Sequence, residues 1–389
     1  MTAIMVMGLQ WGDEGKGRIV DLIAEGAHAV VRFNGGPNAG HTIPLRDGSK
    51  IAVHQLPSGI LNPHANLCLG RGMVIDLPKL VKEIKDAGIN PLRVMLDPKA
   101  HILAPCHIAE DVKAEEARGA NAIGTTRTGN GPAYADKYAR VGMTIGNLLD
   151  WDDTEASANR MGGLRTGRSS DELVAWALDM ADILQTSGVG VEDVSEFIMA
   201  MHRNGKRILF ECAHGFELDI DHGDYPYVTS SSCGIGGVYS GVGFSPKSIS
   251  HVVGVIKPYS TRVGAGSFPP RFEPDVESHI RDLGGEYGVT TGRPRAIGFL
   301  DLLRLVRACR MNSVSRLVLT HLDIAQYLEH VPLVDLDGSI QSVDWWNLTT
   351  FIEERLGVPI QYISDGPQHG SMQRLFGEEG TDADLWKVC

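Results

Sequence analysis

Three side chains in this sequence are placed to do chemistry together: Asp13, Lys16 and His41. Asp13 and Lys16 lie in Gly8-Leu9-Gln10-Trp11-Gly12-Asp13-Glu14-Gly15-Lys16-Gly17-Arg18, between the apolar run Ile4 to Met7 and the helical pattern Ile19, Val20, Leu22, Ile23. Strand, glycine-rich turn and helix form a cradle for phosphate. Glycines let backbone N–H groups turn inward, and the helix N-terminus adds its positive end. Lys16 supplies a point charge for phosphate oxygens. A carboxylate in such a site is electrostatically wrong unless something offsets it. Asp13 is therefore expected to bind Mg²⁺, to act as a base, or both. The segment is not a Walker A loop, because Gly17 stands where Ser or Thr is required. The competing reading, a ligand-free tight turn, does not explain four glycines, a lysine and two acids in so short a stretch.

A second glycine-rich turn, Asn34-Gly35-Gly36-Pro37-Asn38-Ala39-Gly40-His41-Thr42, follows the strand pattern at 27–33. A histidine there can protonate a phosphate leaving group. The segment 123–134 has hydroxyls, glycines and Arg127 but almost nothing to pack a core, so it reads as a binding loop. Tyr287 to Arg295 sets two threonines and two arginines among glycines, which suits a carboxylate or phosphate. Asp219-Ile220-Asp221-His222 could suggest a metal site, but a hydrogen-bonded loop is preferred because no second cluster stands at ligand spacing.

These segments need a scaffold. Strands are expected at 51–56, 65–69, 93–96, 207–211, 251–256, 315–319 and, last, 360–363. Helices are expected at 78–87, 300–311 and 346–356. Residues 107–118 read as a surface helix, and 146–206 as largely helical, with a glycine- and arginine-rich loop at 158–170. Short strands ending in polar glycine loops and alternating with helices place ligands at the carboxyl ends of a sheet. The fold class is therefore α/β, a mostly parallel central sheet flanked by helices. With 389 residues, 43% apolar, and no repeat or linker, residues 1–389 are expected to be one domain. A net charge of -12 without a basic block argues against nucleic acid as a partner. No apolar run spans a membrane, and no signal peptide opens the chain. Six cysteines without paired spacing fit free thiols in a reducing cytoplasm.

Taken together, Gln10 to Gly17, Asn38 to Thr42, Gly124-Thr125-Thr126 with Gly131 to Tyr134, 219–231, Ser260 to Gly266 and Thr290 to Arg293 resemble the adenylosuccinate synthetase family, block by block in the family's order. The resemblance implies a P-loop-GTPase-like fold and a homodimer with shared active sites. It implies ligation of L-aspartate to a 6-oxopurine nucleotide such as IMP, driven by GTP and Mg²⁺. Asp13 is then the base that takes the N1 proton, His41 the acid on the departing diphosphate, and Lys16 the phosphate cation. Gly12, Gly15, Gly17, Gly40 and Thr42 form the phosphate loops. The implied Mg²⁺ ligands are the Asp13 carboxylate and the Gly40 carbonyl. Thr291, Arg293 and Arg295 are implied to hold aspartate. Asn38, Thr126, Thr229 and Arg140 are implied to hold the purine nucleotide, Arg140 from the partner subunit. Asp323, Ser364 and Gly366 line the donor base.

The chain departs from the family pattern at several points. Arg127-Thr128 stand where the family has Arg after the Thr-Thr pair. His214 replaces Gln near purine O6, and His321 replaces Lys before Leu322-Asp323. Pro37 replaces His, and the segment between Asp323 and Ser364 is short. A divergent viral branch of similar sequence uses dGMP in place of IMP and also has Pro before Asn-Ala-Gly-His-Thr. Members of it often replace the catalytic Asp, which is kept here. IMP with GTP as donor is expected first, and dGMP with ATP or GTP second. A nucleotide-binding regulator without catalysis is disfavoured by the survival of Asp13, Lys16 and His41. A dinucleotide-dependent dehydrogenase is disfavoured because no Gly-x-Gly-x-x-Gly opens the first helix.

Overall fold

Ten strands form one sheet, in the spatial order Met372–Arg374, Ile360–Ser364, Arg316–Leu319, His251–Ile256, Ala3–Gly8, Ile208–Gly215, Ala29–Arg32, Asn66–Leu69, Val94–Leu96 and Gly190–Val191. In this computed structural model, residues 3–45, 47–163, 170–288, 292–366, 371–374 and 386 are described. Every pairing in the sheet is parallel except that of the edge strand Met372–Arg374. The central strand Ala3–Gly8 is buried along its whole length. It sends Ile4 and Val6 to the core on one face and Ala3, Met5 and Met7 to the core on the other. That is why it reads as an unbroken apolar run: a parallel strand covered on both faces has no polar side.

The helix after the central strand spans Lys16–Ala24 and buries Ile19, Val20 and Ile23. Local signals set other helix starts. Asp76 caps Leu77–Asp86 by accepting from the Lys79 N–H, and Asp301 caps Leu302–Asn312 by accepting from the Arg304 N–H. A second sheet packs beside the first and joins Tyr259–Arg262, Ala296–Asp301, His330–Val334 and Ile340–Asp344. It delivers the segment that carries Arg293 and Arg295.

The expected α/β class is found, with four corrections. The second sheet was largely missed, because its strands are short and half polar. The strand 360–363 is not last, since Met372–Arg374 pairs antiparallel beside it. The helical stretch 146–206 is broken by the strand Gly190–Val191, after Gly188 with φ +75° follows the helix Ser170–Ser187. Of the expected loop 158–170, the first residues belong to the helix Trp151–Gly163, and 164–169 lie outside the described residues. The fourth correction concerns the helix Pro105–Arg118. It is no mere surface helix, because His107, Asp111 and Glu115 form a buried stripe one turn apart.

Among the described residues, no helix is long and apolar enough to cross a membrane. Five cysteines, Cys68, Cys106, Cys212, Cys233 and Cys309, are buried free thiols.

Candidate active site

The loop between Gly8 and Lys16 is wrapped around one carboxylate. Glu14 is fully buried and accepts from the N–H of Gln10 at 3.1 Å and of Gly12 at 2.9 Å. Its other oxygen receives Lys16 Nζ at 2.7 Å. Burial alone would raise the Glu14 carboxyl and lower the Lys16 ammonium. Their mutual attraction outweighs this, so the acid is held low and the lysine high. Glycine at position 8 is obligatory: a Cβ there would lie 2.2 Å from Glu14 Oε2. Gly12 and Gly15 take left-handed backbone, and so does Asp13 with φ 61°, a conformation that costs a non-glycine residue energy and persists where the surroundings enforce it. The turn aims the Asp13 carboxylate forward, where Arg295 Nε lies 2.8 Å from Oδ2. That contact is an ion pair without an aligned hydrogen bond.

His41 begins a short strand, His41–Pro44, and its ring is buried. Nδ1 is 2.5 Å from Glu211 Oε1 and 3.1 Å from Ser58 Oγ. Nε2 is 3.1 Å from the Ala213 carbonyl. A carboxylate and a carbonyl both accept, so only the doubly protonated ring donates to both. Glu211 also accepts from the N–H of Ser58 at 2.7 Å and from its hydroxyl at 2.5 Å. Burial pushes the Glu211 carboxyl up, but His41 and its other donors more than reverse this. The geometry therefore gives each ring nitrogen an acceptor, an arrangement that suits a general acid.

These groups open on a cavity of about 790 Å³ at the carboxyl ends of the central strands. It is lined by Gly12, Asp13, Gly15, Lys16, Gly17, Asn38, Gly40, His41, Thr42, Thr126, His214, Thr229, Arg293, Arg295, Asp323, Ser364 and Gly366. One expected residue among those described, Arg140, is not in that wall. Arg140 is exposed, capping the helix Asn130–Ala139 with φ 65°, and does not line the cavity of its own chain. Thr291 lies outside the described residues.

His214 is a neutral imidazole. Burial, with Arg32, Lys16 and His41 around it, pushes it down to about 3, and its Nδ1 is buried without a partner. Arg293 Nη2 donates to the carbonyls of Gly124 at 2.9 Å and Thr125 at 3.2 Å, tying the two expected binding loops together. Arg295 also donates to Glu286 at 2.5 Å, and Glu286 receives the fully buried Lys257 at 2.8 Å. Glu286 is driven to about 2, since Lys257, His321 and Arg295 overcome the effect of burial.

Several residues that hold the site were not expected. Asp111 accepts from the Thr125 hydroxyl and the Gly129 N–H, and Glu115 from the N–H groups of Ile123, Gly124 and Thr125. Their four-residue spacing was a visible signal. Glu211 gave none, because its partners lie far away in the sequence, and Glu286 gave none, because Arg295 and Lys257 stand 9 and 29 residues from it, at no helical or strand spacing. The cluster at 219–222 is a hydrogen-bonded loop, as preferred: Asp219 accepts from the N–H groups of Asp221, His222, Cys233 and Gly234. No group of three or more metal-ligating side chains occurs among the described residues.

The family model for adenylosuccinate synthetase matches residues 5–336. An adenylosuccinate synthetase from Alteromonas mediterranea is 38% identical over 94% of this chain and 96% of its own length. The structure of a fully ligated adenylosuccinate synthetase from Plasmodium falciparum superposes with a TM-score of 0.89 at 33% identity, covering 97% of this chain and all of the other. A succinoaminodeoxyadenylate synthetase of cyanophage S-2L shares the fold, with a TM-score of 0.70 at 23% identity over 99% of this chain and 97% of the other. Phosphate loop, paired histidine and arginine-bearing segment thus meet in one cavity of a chain matched end to end, and the chain belongs to the adenylosuccinate synthetase family.

Proposed function

We propose that this chain joins L-aspartate to carbon 6 of IMP, using GTP, through a 6-phosphoryl intermediate. One observation carries the reading: Asp13, Lys16 and His41 share a cavity with Arg293 and Arg295 on one side and Asp323, Ser364 and Gly366 on another. Oxygen at purine carbon 6 is a poor leaving group until phosphorylated. Asp13 takes the N1 proton, which makes O6 nucleophilic. Lys16 and the loop N–H groups hold the transferring phosphate. His41 stabilises charge on the departing diphosphate, with Glu211 supporting its protonated ring. Arg293 and Arg295, with Thr291, hold the two aspartate carboxylates while the amine displaces phosphate. Asn38, Thr126, Thr229 and His214 hold the purine nucleotide.

The donor set fits Mg²⁺, which takes one or two carboxylates alongside substrate phosphates and water. The Asp13 carboxylate and the Gly40 carbonyl would hold it, and the bound ion would neutralise phosphate charge. Arg140, exposed and outside the wall of its own cavity, suits a role across a homodimer. The same reading takes residues 1–389 as one domain, since the central sheet draws strands from Ala3 to Arg374. The retained Asp13 and the sequence relatives favour IMP over dGMP.

The test is a product assay with L-aspartate and Mg²⁺, crossing GTP and ATP with IMP and dGMP, read by mass. Succinyl-purine from IMP with release of GDP is expected. Product from dGMP alone would overturn the choice of nucleotide, and no aspartate-dependent product from either would overturn the reading.

A further inference from the structure

Arg18 was not expected to touch a ligand. It stands in the first turn of the helix Lys16–Ala24 and lines the same cavity as Asp323, Ser364 and Gly366. Its Nη1 donates to Ser364 Oγ at 2.7 Å and to the Gly366 carbonyl at 2.5 Å, and Nη2 donates to Ser371 Oγ at 2.9 Å. The Gly366 carbonyl also accepts from the hydroxyls of Ser364 at 3.1 Å and Ser371 at 2.5 Å. A carbonyl oxygen has two lone pairs, so three donors leave it no capacity for a fourth. Nearby, Asp323 Oδ1 is buried without a partner. His321, which stands where family members carry lysine, is neutral: burial and Lys257 push it down to about 4. The cation of this subsite therefore comes from the helix after the phosphate loop and not from the strand end.

We propose that Arg18 sets the base specificity of the phosphoryl donor, favouring guanine by saturating the Gly366 carbonyl and standing as the cation beside Asp323. The inference rests on the donor-base assignment made above. Guanine presents N1–H and the 2-amino group, two donors that suit an unpartnered carboxylate. Adenine presents a 6-amino donor and an N1 acceptor. Its amine finds the Gly366 carbonyl occupied, and its N1 faces the negative Asp323. Burial raises the Asp323 carboxyl, while the N–H groups of Ile324 and Asp323 and then the Arg18 guanidinium act against that. Without Arg18 the carbonyl loses one donor directly, and the Ser364 and Ser371 hydroxyls lose the guanidinium that holds them on it, so it regains acceptor capacity, and Asp323 loses its neighbouring cation. Both changes move the site toward adenine.

The experiment uses the full chain with Arg18→Met, measuring affinities for GDP and ADP and kcat/KM with GTP and ATP. The GTP-to-ATP ratio is expected to fall by about tenfold or more, the scale of one discriminating hydrogen bond, with ADP binding unchanged or tighter. Arg18→Lys keeps one cation and a donor for the loop, and should give an intermediate ratio. Equal losses for both nucleotides in both variants would make Arg18 a strut only and overturn the proposal. Asp323→Asn, in an otherwise unchanged chain, tests the underlying assignment by its expected shift from GTP toward XTP. If that shift is absent, the donor-base site is misplaced. If it occurs while Arg18→Met leaves the ratio unchanged, only the Arg18 proposal fails.

Discussion

Replacing Glu211 with glutamine isolates the source of acidity at His41. The side chain keeps its size and loses its charge. Glu211 is fully buried and binds three donors, His41 Nδ1 at 2.5 Å, the Ser58 N–H at 2.7 Å and the Ser58 hydroxyl at 2.5 Å. A hydrogen bond to a charged group contributes about 1.5–3 kcal/mol, and a neutral one about 0.5–1.5 kcal/mol. The imidazolium therefore loses about 1–2 kcal/mol of support. If His41 acts as an acid, kcat should fall roughly 5- to 30-fold at neutral pH. KM for the purine nucleotide and for GTP should stay within about threefold, because Glu211 does not line the cavity. The assay is steady-state formation of succinyl-purine across pH 5.5–9, with thermal melting as the check on folding. Ser58→Ala removes one donor to Glu211 without touching the charge, and should show the same direction with a smaller loss. An unchanged kcat in folded Glu211→Gln would refute the idea that this carboxylate supports His41 as the acid.

Two further outcomes follow from the same geometry. Arg293→Leu should raise KM for aspartate by about 10- to 100-fold, as a lost charge-assisted contact does, and KM for the purine nucleotide far less; equal rises would mean that Arg293 only braces the loop at Gly124 and Thr125. Stability of the ligand-free chain, followed by melting temperature against pH, should be full above pH 6.5 and fall as pH drops toward 4. His101, His214 and His321 are half-buried and neutral, held down to about 4, 3 and 4, so the unfolded chain takes up protons at these rings in that window while the folded chain does not, which outweighs the opposite uptake at Asp21, pushed up to about 7 by burial. A flat melting temperature between pH 6.5 and 4.5 would show that these rings are wetter than their packing indicates.

The sequence by itself determined the phosphate loop, because its demands are local. Left-handed turns need glycine, an anion needs a cation within reach, and a carboxylate in such a place needs a reason. Asp13, Lys16 and the glycines around them could be read at a glance for that cause. The central sheet was legible too, since a strand buried on both faces has no polar alternation to hide it. The helix Pro105–Arg118 shows the limit within one element: its period was clear, but whether its acids faced water or the loop at 123–129 depended on packing. Only the tertiary structure brought Glu211 to His41, 170 residues apart in sequence, and Arg18 to Ser364, 346 apart. Glu286 meets Lys257, 29 residues away, and Arg295, 9 away, at spacings that match neither a helix nor a strand. Such pairs carry no periodicity, because burial makes their energies depend on three-dimensional neighbours and not on spacing along the chain. Local order of residues named the phosphate chemistry, and the meeting of distant strand ends decided which groups hold a proton and which side chains face the donor base.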